Sequence, residues 1–150
     1  MASTLTSIRI HFVFSTMNRK KLIDSEIRPQ LWAYMGGIAR QNSMVAIAVG
    51  GTGNHVHMLI SIPASISPSK AIQLVKANSS KWINEGNNKK FRFSWQVGYG
   101  GFTVSPRQIG NVKTYILRQE EHHRIKTFEE EYIGFLKDSG IEYDERYLWG

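Results

Sequence analysis

The sequence contains no cysteine, which excludes disulfide scaffolds, thiolate metal sites and cysteine nucleophiles. It also has no apolar run near the roughly 18 residues that a membrane helix needs. Its N-terminus has no long apolar stretch of the kind found in signal peptides. We therefore expect a cytoplasmic protein without a membrane partner.

Acidic residues are scarce in most of the chain. Residues 1–118 contain 15 Lys/Arg and 3 Asp/Glu, whereas residues 119–150 contain 4 and 9, and the whole chain carries a net charge of +7. So basic a segment indicates a polyanionic partner, of which the nucleic-acid backbone is the commonest. Solubility alone is the alternative explanation.

The 150 residues, 41% of them hydrophobic, are enough for a single domain with its own core, which we place at 1–150. Residue periodicity and capping signals predict alternating strands and helices. This order predicts an α+β, ferredoxin-like (RRM-like) antiparallel sheet with helices on one face. The predicted strands are 6–16, 45–49, 55–62 and 94–104, and the predicted helices begin near residues 24, 67, 105 and 127.

The third predicted strand carries two histidines, His55 and His57, which alternate with apolar residues. Because side chains in a strand alternate between faces, both imidazoles point to the side opposite the core. There they can reach one divalent cation. The alternative is two surface histidines. If they are ligands, replacing both by alanine should remove metal-dependent activity with little loss of stability, since they face away from the core.

The helix after Ser105-Pro106 places Tyr115 away from its apolar stripe, with Gln119 one turn further on. A phenol oxygen can attack phosphorus, and an amide oxygen can complete a metal's coordination shell. An exposed tyrosine beside a solvated glutamine is the alternative. The adjacent His122 and His123 diverge by about 100° on a helix, so they suit phosphate contact or the helix end better than one shared metal.

Several short motifs occur one after another along nearly the whole chain. They are HFVFSTMNRKK (11–21), GGTGNHVHMLI (50–60), SSKWIN (79–84), WQVGYG (95–100), YILRQEEHHR (115–124) and FEEEY (128–132). In this combination the chain resembles the HUH single-tyrosine transposases, small enzymes of bacterial insertion sequences, and their REP-associated relatives.

The resemblance implies a homodimer that cuts single-stranded DNA beside a hairpin and rejoins it, in the bacterial cytoplasm and on the nucleoid when bound to DNA. It implies that Tyr115, on a C-terminal helix, is the nucleophile that forms a 5′-phosphotyrosine. His55, His57 and Gln119 would hold Mg²⁺ or Mn²⁺. In relatives the tyrosine helix can complete the partner subunit's site, an arrangement open to this chain as well.

This sequence departs from the family at Asn54, where aspartate is frequent. Asparagine can still accept a hydrogen bond, so we interpret the change as a modulation of the metal site.

Basic side chains along the chain are suited to phosphate contacts. The residues predicted to bind DNA are Arg19, Lys20, Lys21, Lys70, Lys76, Lys81, Lys89, Lys90, Arg92, His122, His123 and Arg124.

Two other functions are compatible with parts of this pattern. A non-catalytic module binding hairpin or single-stranded nucleic acid would have no need for all four of Tyr115, Gln119, His55 and His57. A two-histidine phosphoesterase would need a second His-x-Ser/Thr motif, which the sequence lacks.

Overall fold

The structure, a computed structural model, describes residues 3–86 and 91–149. Its centre is a four-stranded sheet in the order β2-β3-β1-β4, with every neighbouring pair antiparallel. This is the predicted α+β, ferredoxin-like arrangement. The strands are β1 (Ile8–Ser15), β2 (Val45–Gly51), β3 (His55–Ile62) and β4 (Gly100–Thr103); the helices are α1 (Arg28–Gln41), α2 (Pro68–Gly86), α3 (Ile109–Leu117), α4 (Gln119–His122), α5 (Phe128–Asp138) and α6 (Glu145–Leu148).

One face of the sheet, here called the apolar face, forms the main hydrophobic core. Val56, Met58, Ile60 and Ile62 of β3 lie on it, as their alternation predicts. Helices α1 and α2 cover this face, with buried residues spaced three and four apart along each helix. The helices predicted from residues 24 and 67 therefore share one face, as expected, whereas those predicted from residues 105 and 127 pack on the other face.

The opposite face, here called the histidine face, is covered by the C-terminal helices. Ile116 of α3 packs on Ala48 and Leu59, and Phe128 and Leu136 of α5 pack in a cluster with Val13 and Phe102. The tail adds Tyr143, Leu148 and Trp149 to the second cluster. Both sides of β1 and β3 are consequently buried.

A glycine sets the distance between α3 and the sheet. A Cβ atom on Gly50 would lie 2.2 Å from the carbonyl oxygen of Ile116. Only a residue without a side chain permits so close an approach of backbone to backbone. Gly50 pairs directly with His57, so the helix that carries Tyr115 is seated next to the histidine pair.

Three predicted elements differ from the structure. The strand expected over 94–104 is reduced to β4 and a single bridge between Thr16 and Trp95, and Gly98, with a φ of 93°, lies between the two. The helix expected from residue 105 to 122 breaks at Arg118, whose φ of −109° and ψ of 25° are not helical. The helix expected from residue 24 begins at Arg28, after a turn in which the Asp24 carbonyl accepts from the Ile27 and Arg28 amides.

No helix within residues 3–86 and 91–149 combines the length and the apolar character required to cross a membrane.

Candidate metal and nucleophile site

His55 and His57 lie side by side on β3, under the C-terminal helices. Both side chains are fully buried, at 0% exposure. They do share the histidine face, as predicted, but they are not surface residues, and the expectation that alanine costs little stability is wrong. The reason is that α3 and α5, distant in sequence, form a second layer over this face.

A carboxylate from α5 sits between the two imidazoles. Glu131 Oε1 lies 2.9 Å from His57 Nε2 and 3.6 Å from His55 Nε2, and the glutamate is only 4% exposed. One ligand atom from each of these three residues falls within 4.8 Å of the others. We call His55, His57 and Glu131 the His–Glu cluster; its spacing is suited to one metal ion.

The predicted nucleophile and the predicted third ligand both reach this cluster. Tyr115 donates its hydroxyl hydrogen bond to Glu131 Oε2. Gln119 Oε1 lies 3.0 Å from His55 Nε2, and its side chain is buried. The helix break at Arg118 lies between them, yet both side chains face the same site.

His122 and His123 also lie at the site, in different positions. His123 Nε2 is 3.1 Å from Gln119 Oε1 and 3.3 Å from Glu131 Oε1. His122 is exposed, and its ring lies 4.5 Å from that of Tyr115. The two side chains diverge as predicted, but His123 turns towards the cluster. Their role in DNA binding stays a prediction.

The other ring nitrogens of the histidine pair have partners of their own. His55 Nδ1 lies 2.8 Å from Asn54 Oδ1 and 3.0 Å from Thr52 Oγ1. Asn54 therefore offers the acceptor that a family aspartate would offer, and His55 can donate from Nδ1 while Nε2 faces the cluster. His57 Nδ1 instead lies 2.8 Å from His11 Nε2, on β1.

Burial and hydrogen bonding set the charges of the site. Burial, reinforced by the neighbouring His57, lowers the pKa of both His11 and His55 to about 3, so both are neutral at pH 7. Burial alone would raise the pKa of Glu131, but hydrogen bonds from His123 and His57 hold it well below its usual range. Burial and the bond to Glu131 raise the pKa of Tyr115. The site therefore pairs an anionic carboxylate with the neutral imidazole of His55 and a protonated phenol on Tyr115.

Two residues of this site, Glu131 and His11, received no role from the sequence, although both lie in the matching motifs. Glu131 follows Phe128 by three residues and precedes Phe135 by four, so it lies on the apolar stripe of α5. His11 alternates with Ile10 and Phe12 and thus shares the face of His55 and His57. A polar residue on a buried stripe was the available signal in each case.

A cavity of about 330 Å³ opens beside Tyr115. Its lining includes His11, Asn111, Tyr115, Glu131 and Phe135. A second cavity, of about 410 Å³, is lined by Lys21, Arg28, the 52–54 loop, His123 and the start of α5. It adjoins the cluster through Asn54 and His123, which contact His55 and Glu131.

Some predicted DNA-binding residues make contacts within the chain. The guanidinium of Arg19 stacks 4.6 Å from the ring centroid of Trp149, and the ammonium of Lys76 donates to the carbonyl oxygens of Gln96 and Gly98 at 2.7 Å. Their roles in DNA binding stay predictions. Lys89 and Lys90 lie outside the described residues. Among the predicted DNA-binding residues that the structure describes, the exposed Lys and Arg side chains are Lys20, Lys21, Lys70, Lys81, Arg92 and Arg124.

A family model described as "Transposase IS200 like" matches residues 4–119, more than three quarters of the chain. The chain belongs to the IS200-like transposase family. The matched range of this transposase includes His55, His57, Tyr115 and Gln119, whereas Glu131 lies beyond it.

Individual relatives agree with this assignment. The transposases of insertion sequence element IS200 from Salmonella typhimurium and Salmonella typhi are each 24% identical over 130 residues, covering 83% of this chain and 85% of theirs. A solved structure of a predicted transposase from Deinococcus radiodurans has a TM-score of 0.64 at 19% identity, covering 77% of this chain and 93% of that one. A REP-associated tyrosine transposase, solved bound to a REP hairpin, has a TM-score of 0.51 at 14% identity, covering 77% and 70%.

Proposed function

We propose that this transposase cleaves and rejoins single-stranded DNA at hairpin sequences through a covalent 5′-phosphotyrosine on Tyr115, with a divalent cation at the His–Glu cluster. The observation that carries the proposal is the position of Glu131. One of its oxygens contacts the metal-binding imidazole of His57, and the other accepts the hydrogen bond of the nucleophile. Metal ligands and nucleophile thus share one side chain.

The donor set is compatible with such a cation. His55 and His57 present Nε2, Glu131 presents Oε1, and Gln119 Oε1 lies beside them. Two imidazoles with carboxylate and amide oxygens suit Mn²⁺ well, whereas Mg²⁺ favours an all-oxygen shell. We therefore assign Mn²⁺ or Mg²⁺ to the site, with tighter binding expected for Mn²⁺. A bound cation would polarise the scissile phosphate and offset the negative charge of Glu131.

The chemical step uses the two oxygens of Glu131 differently. The Tyr115 hydroxyl passes its proton to Glu131 Oε2 as its oxygen forms a bond to phosphorus. The bond from phosphorus to the 3′ oxygen breaks, and that oxygen takes a proton from solvent to become a free 3′-hydroxyl. Another 3′-hydroxyl then attacks the phosphorus and releases its proton to solvent. The bond from phosphorus to the tyrosine oxygen breaks, and Tyr115 regains its proton from Glu131.

The raised pKa of Tyr115 indicates how a cation would assist this step. Burial and the adjacent carboxylate keep the phenol protonated in the metal-free protein. A protonated phenol is a weak nucleophile. A cation held by His55, His57 and Glu131 would reduce the repulsion that opposes a developing phenolate on Tyr115.

Hairpin DNA is supported as the substrate by charge and by one structural neighbour. The REP-associated transposase was solved with a REP hairpin. The predicted DNA-binding cations that are exposed, named above, leave their charged groups accessible to phosphates of such a strand. We expect binding to weaken steeply with salt, since each phosphate contact releases counterions.

We also propose a homodimer, as the family resemblance implies. Tyr115 contacts Glu131 of its own chain, so each copy holds nucleophile and cluster together. A mass near twice 17.1 kDa in light scattering would support the dimer, and a mass of 17.1 kDa with full activity would contradict it.

The decisive experiment for cleavage uses single-stranded oligonucleotides that cover both flanks of the gene, with Mn²⁺ or Mg²⁺. Wild-type protein should give cleaved strands on a denaturing gel, and EDTA should abolish them. Tyr115→Phe should bind hairpins as the wild type does and cleave nothing. Cleavage by purified Tyr115→Phe would contradict the assignment of the nucleophile, and tight binding without cleavage under any metal would favour the non-catalytic binding module.

A matched pair of glutamate variants tests the role of Glu131. Glu131→Gln keeps the volume but removes the charge, and it should weaken Mn²⁺ binding and slow cleavage. Glu130→Gln is the control, because Glu130 is exposed and caps α5 with Thr127. Equal Mn²⁺ affinity in the two variants would remove Glu131 from the metal site.

A further inference from the structure

His11 is a buried histidine to which the proposed chemistry gives no direct part. It lies on β1, is 3% exposed, and its Nε2 is 2.8 Å from Nδ1 of His57. Its ring packs edge-on against Phe135, with centroids 5.1 Å apart. The Nε2 atom of His11 thus faces the ring of another histidine, His57.

The proton on His57 explains what such a contact can do. An imidazole that coordinates a cation through Nε2 must carry its proton on Nδ1. That proton needs an acceptor, because both rings are buried. For His55 the acceptor is the amide oxygen of Asn54, and the position equivalent to it at His57 is occupied by His11 Nε2.

The structure assigns a positioning role to His11: we propose that its Nε2 accepts the Nδ1 proton of His57 when the cation is bound, and so fixes the tautomer and ring orientation that present His57 Nε2 to the metal. The inference rests on the proposed function, since it concerns the metal site proposed there. In this arrangement His11 carries its own proton on Nδ1, which leaves the Nε2 lone pair, 2.8 Å from His57 Nδ1, to accept. Strand β1, which carries His11, pairs directly with β3, which carries His57, so the two rings stand on neighbouring strands of one sheet.

Two variants separate this role from simple packing. His11→Phe retains an aromatic ring against Phe135 but has no acceptor. His11→Gln places an amide oxygen near the position of Nε2 and keeps one. Partners of metal-bound histidines typically contribute about 10–100-fold in metal affinity.

Calorimetric titration with Mn²⁺ is the first test, on full-length protein with melting temperature as a folding control. We expect His11→Phe to lose affinity by about 10–100-fold and His11→Gln to stay close to the wild type. Wild-type affinity in folded His11→Phe would overturn the role of His11 and leave the proposed function intact. Absence of Mn²⁺ binding by the wild type would overturn the proposed metal site, and this inference with it.

A second measurement needs no variant, in case His11→Phe fails to fold. Nitrogen-15 NMR of the Mg²⁺-loaded wild type reports the tautomer of each of the five histidines. The inference requires His57 to be protonated on Nδ1 and His11 to be unprotonated on Nε2. A proton on His11 Nε2 in the loaded protein would overturn it.

Discussion

The two faces of strand β3 are equally buried and chemically opposite. Val56 and Met58 point into the apolar face and His55 and His57 into the histidine face, and all four side chains are 0% exposed. On one face, burial removes apolar surface from water, which stabilises the fold directly. On the other face, burial withdraws polar groups from water. This is tolerated only because hydrogen bonds within the protein replace the lost hydrogen bonds to water.

That replacement is complete in the described part of the chain. Over residues 3–86 and 91–149, every buried side-chain nitrogen or oxygen has a hydrogen-bond partner. A fully satisfied polar cluster nevertheless stabilises a fold no better than apolar residues of equal volume would. The comparison teaches that burial alone does not distinguish a hydrophobic core from a functional site. The buried polar groups of the histidine face are accounted for by the function proposed for them, since they give the fold no extra stability.

The sharpest way to break the comparison is to truncate neighbours on opposite faces. Met58→Ala should destabilise the protein by about 2–5 kcal/mol through a core cavity. His57→Ala should cost about 3 kcal/mol, because it leaves the buried carboxylate of Glu131 with one partner fewer. Denaturant unfolding measures both values.

Metal binding should then distinguish the two variants. Folded Met58→Ala should retain Mn²⁺ binding by calorimetry, and His57→Ala should lose it. Loss of binding in both, or in neither, would show that the two faces are not functionally distinct.

Acid should destabilise the histidine face, and the effect should depend on His11. The pKa of His11 and of His55 is about 3 in the folded protein, below the ordinary 6.5. The unfolded chain therefore binds protons below pH 6.5 that the folded chain does not, and stability falls as pH falls. Linkage gives about 2 kcal/mol per histidine between pH 7 and pH 5.

Thermal unfolding in EDTA at the two pH values measures this loss. The melting temperature of the wild type should be lower at pH 5, and His11→Phe should show a smaller decrease. An unchanged melting temperature between pH 7 and pH 5 would mean that these histidines are not held neutral.

The smallest expected effect comes from a substitution at Gly50, which tests how closely α3 must pack on the sheet. Gly50→Ala would push a methyl group into the Ile116 carbonyl and displace α3, at about 1–3 kcal/mol and with slower cleavage. Gly110→Ala, also in α3, is the control, since nothing lies within 4 Å of its Cβ position. It should leave cleavage unchanged and stability equal or up to about 1 kcal/mol higher. Equal cleavage by both variants would mean that the seating of α3 on Gly50 does not position Tyr115.

The sequence predicted the sheet and much of the site because their signals are local. Alternation along residues 55–62 gives β3 with its observed bounds, and the spacing of Tyr115 and Gln119 places both on the side that meets the cluster. The burial of the histidine face was not predictable in the same way, because it depends on α3 and α5 packing across the sheet. That contact is long-range, and no periodicity in β3 records it.

Glu131 is a second residue whose place in the site the sequence did not predict. It stands in a run of three glutamates, and only the phase set by the Thr127 cap turns it inward while Glu130 stays exposed. The spacing of Phe128, Tyr132 and Phe135 already places residue 131 on the buried side of α5. A carboxylate at a buried position can be assigned to a site only once its partners are known.

The most direct test of the account is to locate the covalent bond by mass spectrometry. Trypsin releases Tyr115 within residues 114–118, which contain no other tyrosine. After reaction with hairpin oligonucleotide and Mn²⁺, followed by nuclease and trypsin, we expect this peptide to carry a 5′-linked nucleotide, and to carry none when EDTA is present. Cleaved DNA with an unmodified peptide 114–118, or with the nucleotide on another tyrosine, would contradict the central claim that Tyr115 and the His–Glu cluster form one active site.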